Sequence, residues 1–340
     1  MSIIIEPLTV YQLNSLTDVM HMAKKKKSKQ RILREKLKHQ VKNINHNLTR
    51  KQYCNILDRF AKFCYATYGC YTIENCKEHI QDYVDSLIDR QLSPSTIHTY
   101  TAACCRAFEI PMNEIKKPLR RTSEFTRGRQ RELPVNRNDM DLKNYNYKRV
   151  VDFQSRVGIR RNELKHLRGS DICQDANGDW CVIVRRGKGG KRQLQRIEDG
   201  YEEFIKSYFD DKKPDEYIFT EVELTNKLNF HALRSKRAQD EYFSTLKKLQ
   251  EDINYRQELE RKLRNRWKEN LDKNGQKKKL KDSEINGYYY LRGKNKEFAK
   301  ANGLPLKYDK LAVLWVSITV LSHWRNDVTV QNYLNIIPKL

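Results

Sequence analysis

Leu321-Ser322-His323-Trp324-Arg325-Asn326-Asp327-Val328-Thr329-Val330-Gln331-Asn332-Tyr333-Leu334 sets a histidine and a tyrosine ten positions apart, directly after the apolar run that ends at Leu321. Working back from it, the chain carries His231-Ala232-Leu233-Arg234, then Gly187-Lys188-Gly189-Gly190-Lys191, then Gly158-Ile159-Arg160. In chain order the chemistry-bearing residues are Arg160, Lys188, His231, Arg234, His323 and Tyr333. Such a set can hold a phosphodiester, neutralise it, move protons and attack it, with no metal or other cofactor required.

Each residue type suits one part of that chemistry. A guanidinium is a flat fork of donors that stays charged, so Arg160 and Arg234 suit two non-bridging phosphate oxygens. His-x-x-Arg on a helix puts His231 and Arg234 on one face, one turn apart. His231 can take the nucleophile's proton or hold a phosphate oxygen. A lysine at a hairpin tip can protonate a departing 5′ oxygen if neighbouring cations depress its pKa. The Gly-Lys-Gly-Gly-Lys turn is not a P-loop, because its spacing differs and no Ser or Thr follows the lysine. Tyr333 is the candidate nucleophile among 19 tyrosines. A phenol with its ordinary pKa of about 10 attacks poorly, so the nearby cations have to favour phenolate. Tyr288, Tyr289 and Tyr290 compete for the role but have no histidine partner in sequence.

Taken together, these motifs resemble the tyrosine recombinase family of site-specific DNA integrases, over residues from about 47 to 333. In the family pattern the first arginine follows a glycine and an apolar residue and precedes x-x-Glu-Leu. Gly158-Ile159-Arg160-Arg161-Asn162-Glu163-Leu164 fits, which selects Arg160 over Arg161 and gives Glu163 the task of orienting an arginine. Lys188 stands where the family places its general acid, with Lys191 as the runner-up. His323 stands where the family places a phosphate-binding histidine; some relatives have tryptophan there, and Trp324 is adjacent. The resemblance implies a mainly α fold with a small β-sheet, made of an N-terminal helical core-binding domain and a mixed α+β catalytic domain. It implies cleavage and rejoining of double-stranded DNA through a 3′-phosphotyrosyl intermediate, on homo-oligomers that assemble from dimer to tetramer. Accessory DNA-bending or directionality proteins are compatible with it. A type IB topoisomerase-like enzyme and a non-catalytic DNA-binding protein stand as alternatives.

The bulk numbers point the same way. The chain has 340 residues, enough for two domains with cores of their own. A net charge of +24 favours a polyanionic partner, with nucleic acid the first candidate. None of the eight cysteines forms a C-x-x-C pair, which argues against a zinc site. Cys54, Cys64 and Cys104 fall at apolar helical positions and read as core thiols. Neither a signal peptide nor an apolar run of membrane length is evident, so a reducing, cytoplasmic setting with no membrane partner is expected.

Along the chain, residues 1–46 read as a basic tail or reduced arm, solvated and partly helical, with the run Lys24 to Arg31. Residues 47–115 read as a helical DNA-binding domain. Thr49 with Gln52 suggests a capping box, followed by the face Tyr53, Ile56, Leu57, Phe60 and Cys64. Ile80, Tyr83, Val84 and Leu87 form a second stripe. Ser93-Pro94 starts a third helix carrying Ile97, Tyr100, Cys104 and Phe108. Residues 116–137 read as a linker, and 138–340 as the catalytic domain. There Tyr147 to Val157 and Asn162 to Leu167 read as helices. Trp180 to Val184 and Gln193 to Ile197 read as a hairpin with a glycine-rich basic turn. His231 and His323 lie 92 positions apart, which exposes a long basic insertion at about 237–306. Between Arg256 and Lys281 it has eleven Lys/Arg against four Asp/Glu, and it reads as helical and surface-exposed.

Overall fold

The computed structural model describes residues 28–121, 145–187, 190, 192–224, 228–268 and 279–335. It is mainly α with a small antiparallel sheet, and it divides into two compact units after Arg120. Among the described residues no helix is long and apolar enough to cross a membrane.

The first unit packs helices α1 (Lys29–His39), α2 (Asn47–Tyr68), α3 (Ile73–Lys77), α4 (Ile80–Asp89) and α5 (Pro94–Phe108). The apolar stripes read from sequence converge on one core of Leu57, Phe60, Cys64, Tyr83, Val84, Leu87, Ile97 and Cys104. Ser93 caps α5 as its sequence predicts, its Oγ accepting from the Thr96 amide at 3.2 Å. The start of α2 differs from expectation. The cap is His46, whose Nδ1 accepts from the Thr49 amide at 3.3 Å, so the helix begins earlier than a Thr49 cap implies. The solvated arm also differs from expectation beyond residue 28. Helix α1 buries Leu33 and Leu37, with Val41 just after it, in the same core. Burying a leucine side chain stabilises by about 1.5–3 kcal/mol, which holds the helix on the fold. Arg34 and Lys38 then meet Asp58 of α2 at 2.7 and 2.8 Å, turning the basic face into ion pairs. Burial pushes the Asp58 carboxyl up, but these cations and Lys62 outweigh it and hold it well below the carboxylate range. Lys24 to Lys27 lie outside the described residues.

The first described helix of the second unit is α6 (Tyr145–Val157), which stops at Gly158, followed by the short α7 (Arg161–Leu164). A three-stranded sheet follows, β1 (Ile172–Gln174), β2 (Trp180–Val184) and β3 (Gln193–Arg196), antiparallel in the order β1-β2-β3 with Val184 opposite Gln193. The expected hairpin is β2–β3; the short β1 carries no sequence signal strong enough to mark it. After α8 (Glu202–Lys206) comes the long α9 (Phe230–Glu251), then α10 (Tyr255–Trp267) and α11 (Asp282–Ile285). A two-stranded ribbon, β4 (Tyr288–Tyr290) with β5 (Lys307–Asp309), encloses α12 (Gly293–Ala301). The described residues close with the buried α13 (Lys310–Thr319), α14 (Asn326–Thr329) and a π-helical turn, Val330–Leu334.

The insertion is not the exposed appendage its charge count suggests. Leu259, Leu263 and Trp267 of α10, with Leu280 and Ile285, form a core with Leu311, Leu314, Trp315 and Ile318 of α13. Arg266 is buried between that helix and the sheet. It pairs with Asp175 at 3.1 Å and donates to the Leu194 carbonyl at 2.8 Å.

Candidate active site

Arg160 starts from a helix break. Gly158 ends α6 at φ +75°, a conformation that disfavours any side chain. The chain reverses there, and Arg160 becomes the N-cap of α7. Glu163, buried in the first turn of α7, holds both ends of Arg160. It accepts from the Arg160 amide at 2.9 Å and from its guanidinium at 2.6 Å. Arg161 turns elsewhere and donates to the Leu224 carbonyl at 2.8 Å.

Arg234 lies in the first turns of α9, one turn after His231. It is 1% exposed, and its guanidinium donates to the Gly158 carbonyl and, at 2.5 Å, to the Leu321 carbonyl. Burial pushes the Arg234 pKa down, the neighbouring Arg160 adds to that, and Tyr333 opposes it. The second fork of Arg160 reaches the same Leu321 carbonyl at 3.5 Å. Two guanidinium groups far apart in sequence thus meet over one main-chain oxygen.

His323 follows that oxygen in the chain, on a turn of unusual backbone. Ser322 and Trp324, on either side of it, have φ of +49° and +58°. Such left-handed positions cost roughly 1–3 kcal/mol each in a residue with a side chain, and they persist where surrounding bonds hold them. Here Ser322 Oγ donates to Gln195 Oε1 at 3.1 Å, the His323 amide donates to the Ser317 carbonyl at 2.8 Å, and the Arg325 amide donates to Ser317 Oγ at 2.8 Å. The turn sends Trp324 away from His323 to pack edge-on against Trp267, 5.6 Å between centroids.

Tyr333 sits on the π-helical turn, buried at 5% exposure. Turns of this kind are rare and frequently mark functional positions. The Tyr333 hydroxyl lies 3.0 Å from His323 Nε2. The His231 ring, on a residue that is itself exposed, meets the Tyr333 ring edge-on at 5.2 Å, and the Arg234 guanidinium carbon is 5.9 Å from the same ring.

Five of the six candidates, Arg160, His231, Arg234, His323 and Tyr333, therefore converge within one unit, with Glu163 behind them. Lys188 and Lys191 lie outside the described residues; the strands on either side, β2 and β3, are in place. His323, read from sequence as a phosphate ligand, lies within hydrogen-bonding distance of the Tyr333 hydroxyl, while His231, read as a proton acceptor or a phosphate ligand, meets the Tyr333 ring. The structural supports absent from the sequence reading are mostly main-chain, the carbonyls of Gly158 and Leu321, and no residue type announces them. Gln331 is another. Its Nε2 donates to the Tyr289 hydroxyl at 2.7 Å and ties the turn of Tyr333 to the ribbon.

No family model matches the chain, and a search of curated proteins returns no match. Among solved structures the chain is similar to one described as a crystal structure of XerA recombinase, at 18% identity and a TM-score of 0.21. The match covers 61% of this chain and 83% of that one.

Proposed function

We propose that the protein is a tyrosine-type DNA recombinase, an integrase or transposase of a mobile element, that cuts and rejoins double-stranded DNA through a 3′-phosphotyrosyl intermediate. One observation carries this reading: a tyrosine hydroxyl 3.0 Å from an imidazole nitrogen, beside two arginines that share the Leu321 carbonyl. The oxygen of Tyr333 attacks the scissile phosphorus, and its proton passes to Nε2 of His323. The bond from phosphorus to the 5′ oxygen breaks, and that oxygen leaves as a hydroxyl with a proton from Lys188. Arg160 and Arg234 stabilise the charge that develops on the non-bridging oxygens, and His231 assists from the rim. The new ester keeps the energy of the broken one, so a 5′ hydroxyl from a partner strand reverses the step without ATP. Strand exchange of this kind calls for pairs of subunits that assemble to a tetramer on DNA.

The test uses a duplex library of random sequence, nicked so that a short cleaved strand diffuses away and traps the enzyme. Wild-type protein is expected to form adducts that survive SDS. Tyr333→Phe should bind the same duplexes in a gel shift and form no adduct. Retention of adducts by Tyr333→Phe, or their absence from wild type, overturns the reading. Recovery of recombinant joints between two captured sites distinguishes recombination from topoisomerase-like cleavage and resealing.

A further inference from the structure

The ribbon at the C-terminal end of the insertion offers a surface that the proposed chemistry does not use. Its register pairs Tyr288 with Asp309, Tyr289 with Tyr308 and Tyr290 with Lys307. Alternation along a strand sends successive side chains to opposite faces. Tyr289 and Tyr308 turn inward and join the core that contains Tyr333. Tyr288 and Tyr290 turn outward, 44% and 60% exposed, with ring centroids 6.4 Å apart. Lys307 extends its ammonium to 4.6 Å from the Tyr288 ring centre. From Tyr288 to Lys307 the chain carries five Lys/Arg and one acid, Glu297. Arg292, Lys296 and Lys300 are exposed, and the nearby Asp309 is already neutralised by Arg256 at 2.6 Å.

Exposed rings among cations are the recipe for binding single strands. A base stacks on an aromatic face without regard to sequence, and the cations follow the phosphates. A paired duplex does not present base faces to such a surface, whereas a strand opened or released by cleavage does. The inward Tyr289 bonds to Gln331, two residues before Tyr333, so the ribbon is anchored to the turn of the candidate nucleophile. We infer that Tyr288, Tyr290 and Lys307 form a stacking platform for unpaired DNA bases, which holds a strand freed next to the phosphotyrosine. This inference rests on the reading of the protein as an enzyme that cuts DNA.

The probes are a labelled oligothymidylate of about twenty nucleotides and a duplex of the same length, titrated against full-length protein by anisotropy. Tyr288→Ala with Tyr290→Ala should weaken oligothymidylate binding by about tenfold or more and change duplex binding by less than about twofold. Tyr288→Phe with Tyr290→Phe keeps the rings and should bind like wild type. Both residues are exposed, so all these proteins should melt together. Equal oligothymidylate binding by the alanine variant and wild type overturns the platform and leaves the recombinase reading standing. Equal loss on both probes also overturns it. Wild-type protein that binds neither probe removes the DNA reading itself, and the platform with it.

Discussion

Arg234 combines two demands that pull against each other. A guanidinium at 1% exposure loses its hydration, and it survives there because the Gly158 and Leu321 carbonyls accept from it. Lysine lacks the fork and cannot serve both carbonyls. Arg234→Lys should therefore abolish adduct formation and lower stability by about 1–3 kcal/mol in urea unfolding, the cost of a buried carbonyl left unpaired. Adducts at the wild-type level would show that Arg234 is only structural. Glu241 lies two turns further along the same helix, where it accepts from Arg237 at 2.8 Å, Arg196 at 3.2 Å and Trp315 at 2.9 Å. Burial pushes its carboxyl up, but the two arginines prevail and bring it from 4.5 down to about 2. A depressed carboxyl stabilises the fold above its unfolded pKa, and that contribution is lost as pH falls from about 4.5 towards 2. The difference in stability between wild type and Glu241→Gln should shrink across that interval; a constant difference would contradict the assignment. At this scale the sequence was informative where a motif named the residue. Gly-Ile-Arg-Arg-Asn-Glu-Leu distinguished Arg160 from Arg161, and the structure sends Arg161 to Leu224. It was silent where a main-chain oxygen or a buried ion network does the holding.

The π-helical turn and the ribbon form one mechanical pair at the scale of elements. A side-chain hydrogen bond runs between them, from Gln331 to the Tyr289 hydroxyl. Tyr289→Phe removes that acceptor and keeps the ring in its core. Adduct formation should fall several-fold while the melting temperature stays within a few degrees, since one partly buried hydrogen bond contributes about 0.5–1.5 kcal/mol. An unchanged adduct rate would show that the turn is held without the ribbon. The strained backbone at Ser322 and Trp324 belongs to this scale too, and nothing in residue type foretells it, because serine and tryptophan both prefer negative φ. Strand β2 was legible from its β-branched residues Val182, Ile183 and Val184, and the glycine-rich basic turn after it marked β3 as its hairpin partner. The start of α2 was not, because His46 caps with a ring nitrogen where the capping preferences point to hydroxyl and carboxamide side chains.

For the whole molecule, the insertion is where sequence reading and structure part most. Its low hydropathy and its excess of cations describe a surface, and they obscured the stripe Leu259, Leu263 and Trp267, spaced by four residues along one face of α10. That stripe, with Arg266, joins the insertion to α13 and to the three-stranded sheet. Arg266→Ala leaves Asp175 buried without its cation and should destabilise the protein by about 3–5 kcal/mol in chemical denaturation. A loss below about 1 kcal/mol would mean that the insertion rides on the surface after all. The helical unit was far more legible, since its apolar stripes are long and regular and Cys64 and Cys104 lie buried where the helical period puts them, with Cys54 half-buried against the same core.

The most direct test of the central claim is to locate the covalent bond. Protein trapped on nicked duplex, digested with nuclease and trypsin, and read by tandem mass spectrometry should carry its nucleotide remnant on Tyr333, in the peptide that begins after Arg325. A remnant on Tyr288, Tyr289 or Tyr290, on any other residue, or on none, would contradict the account.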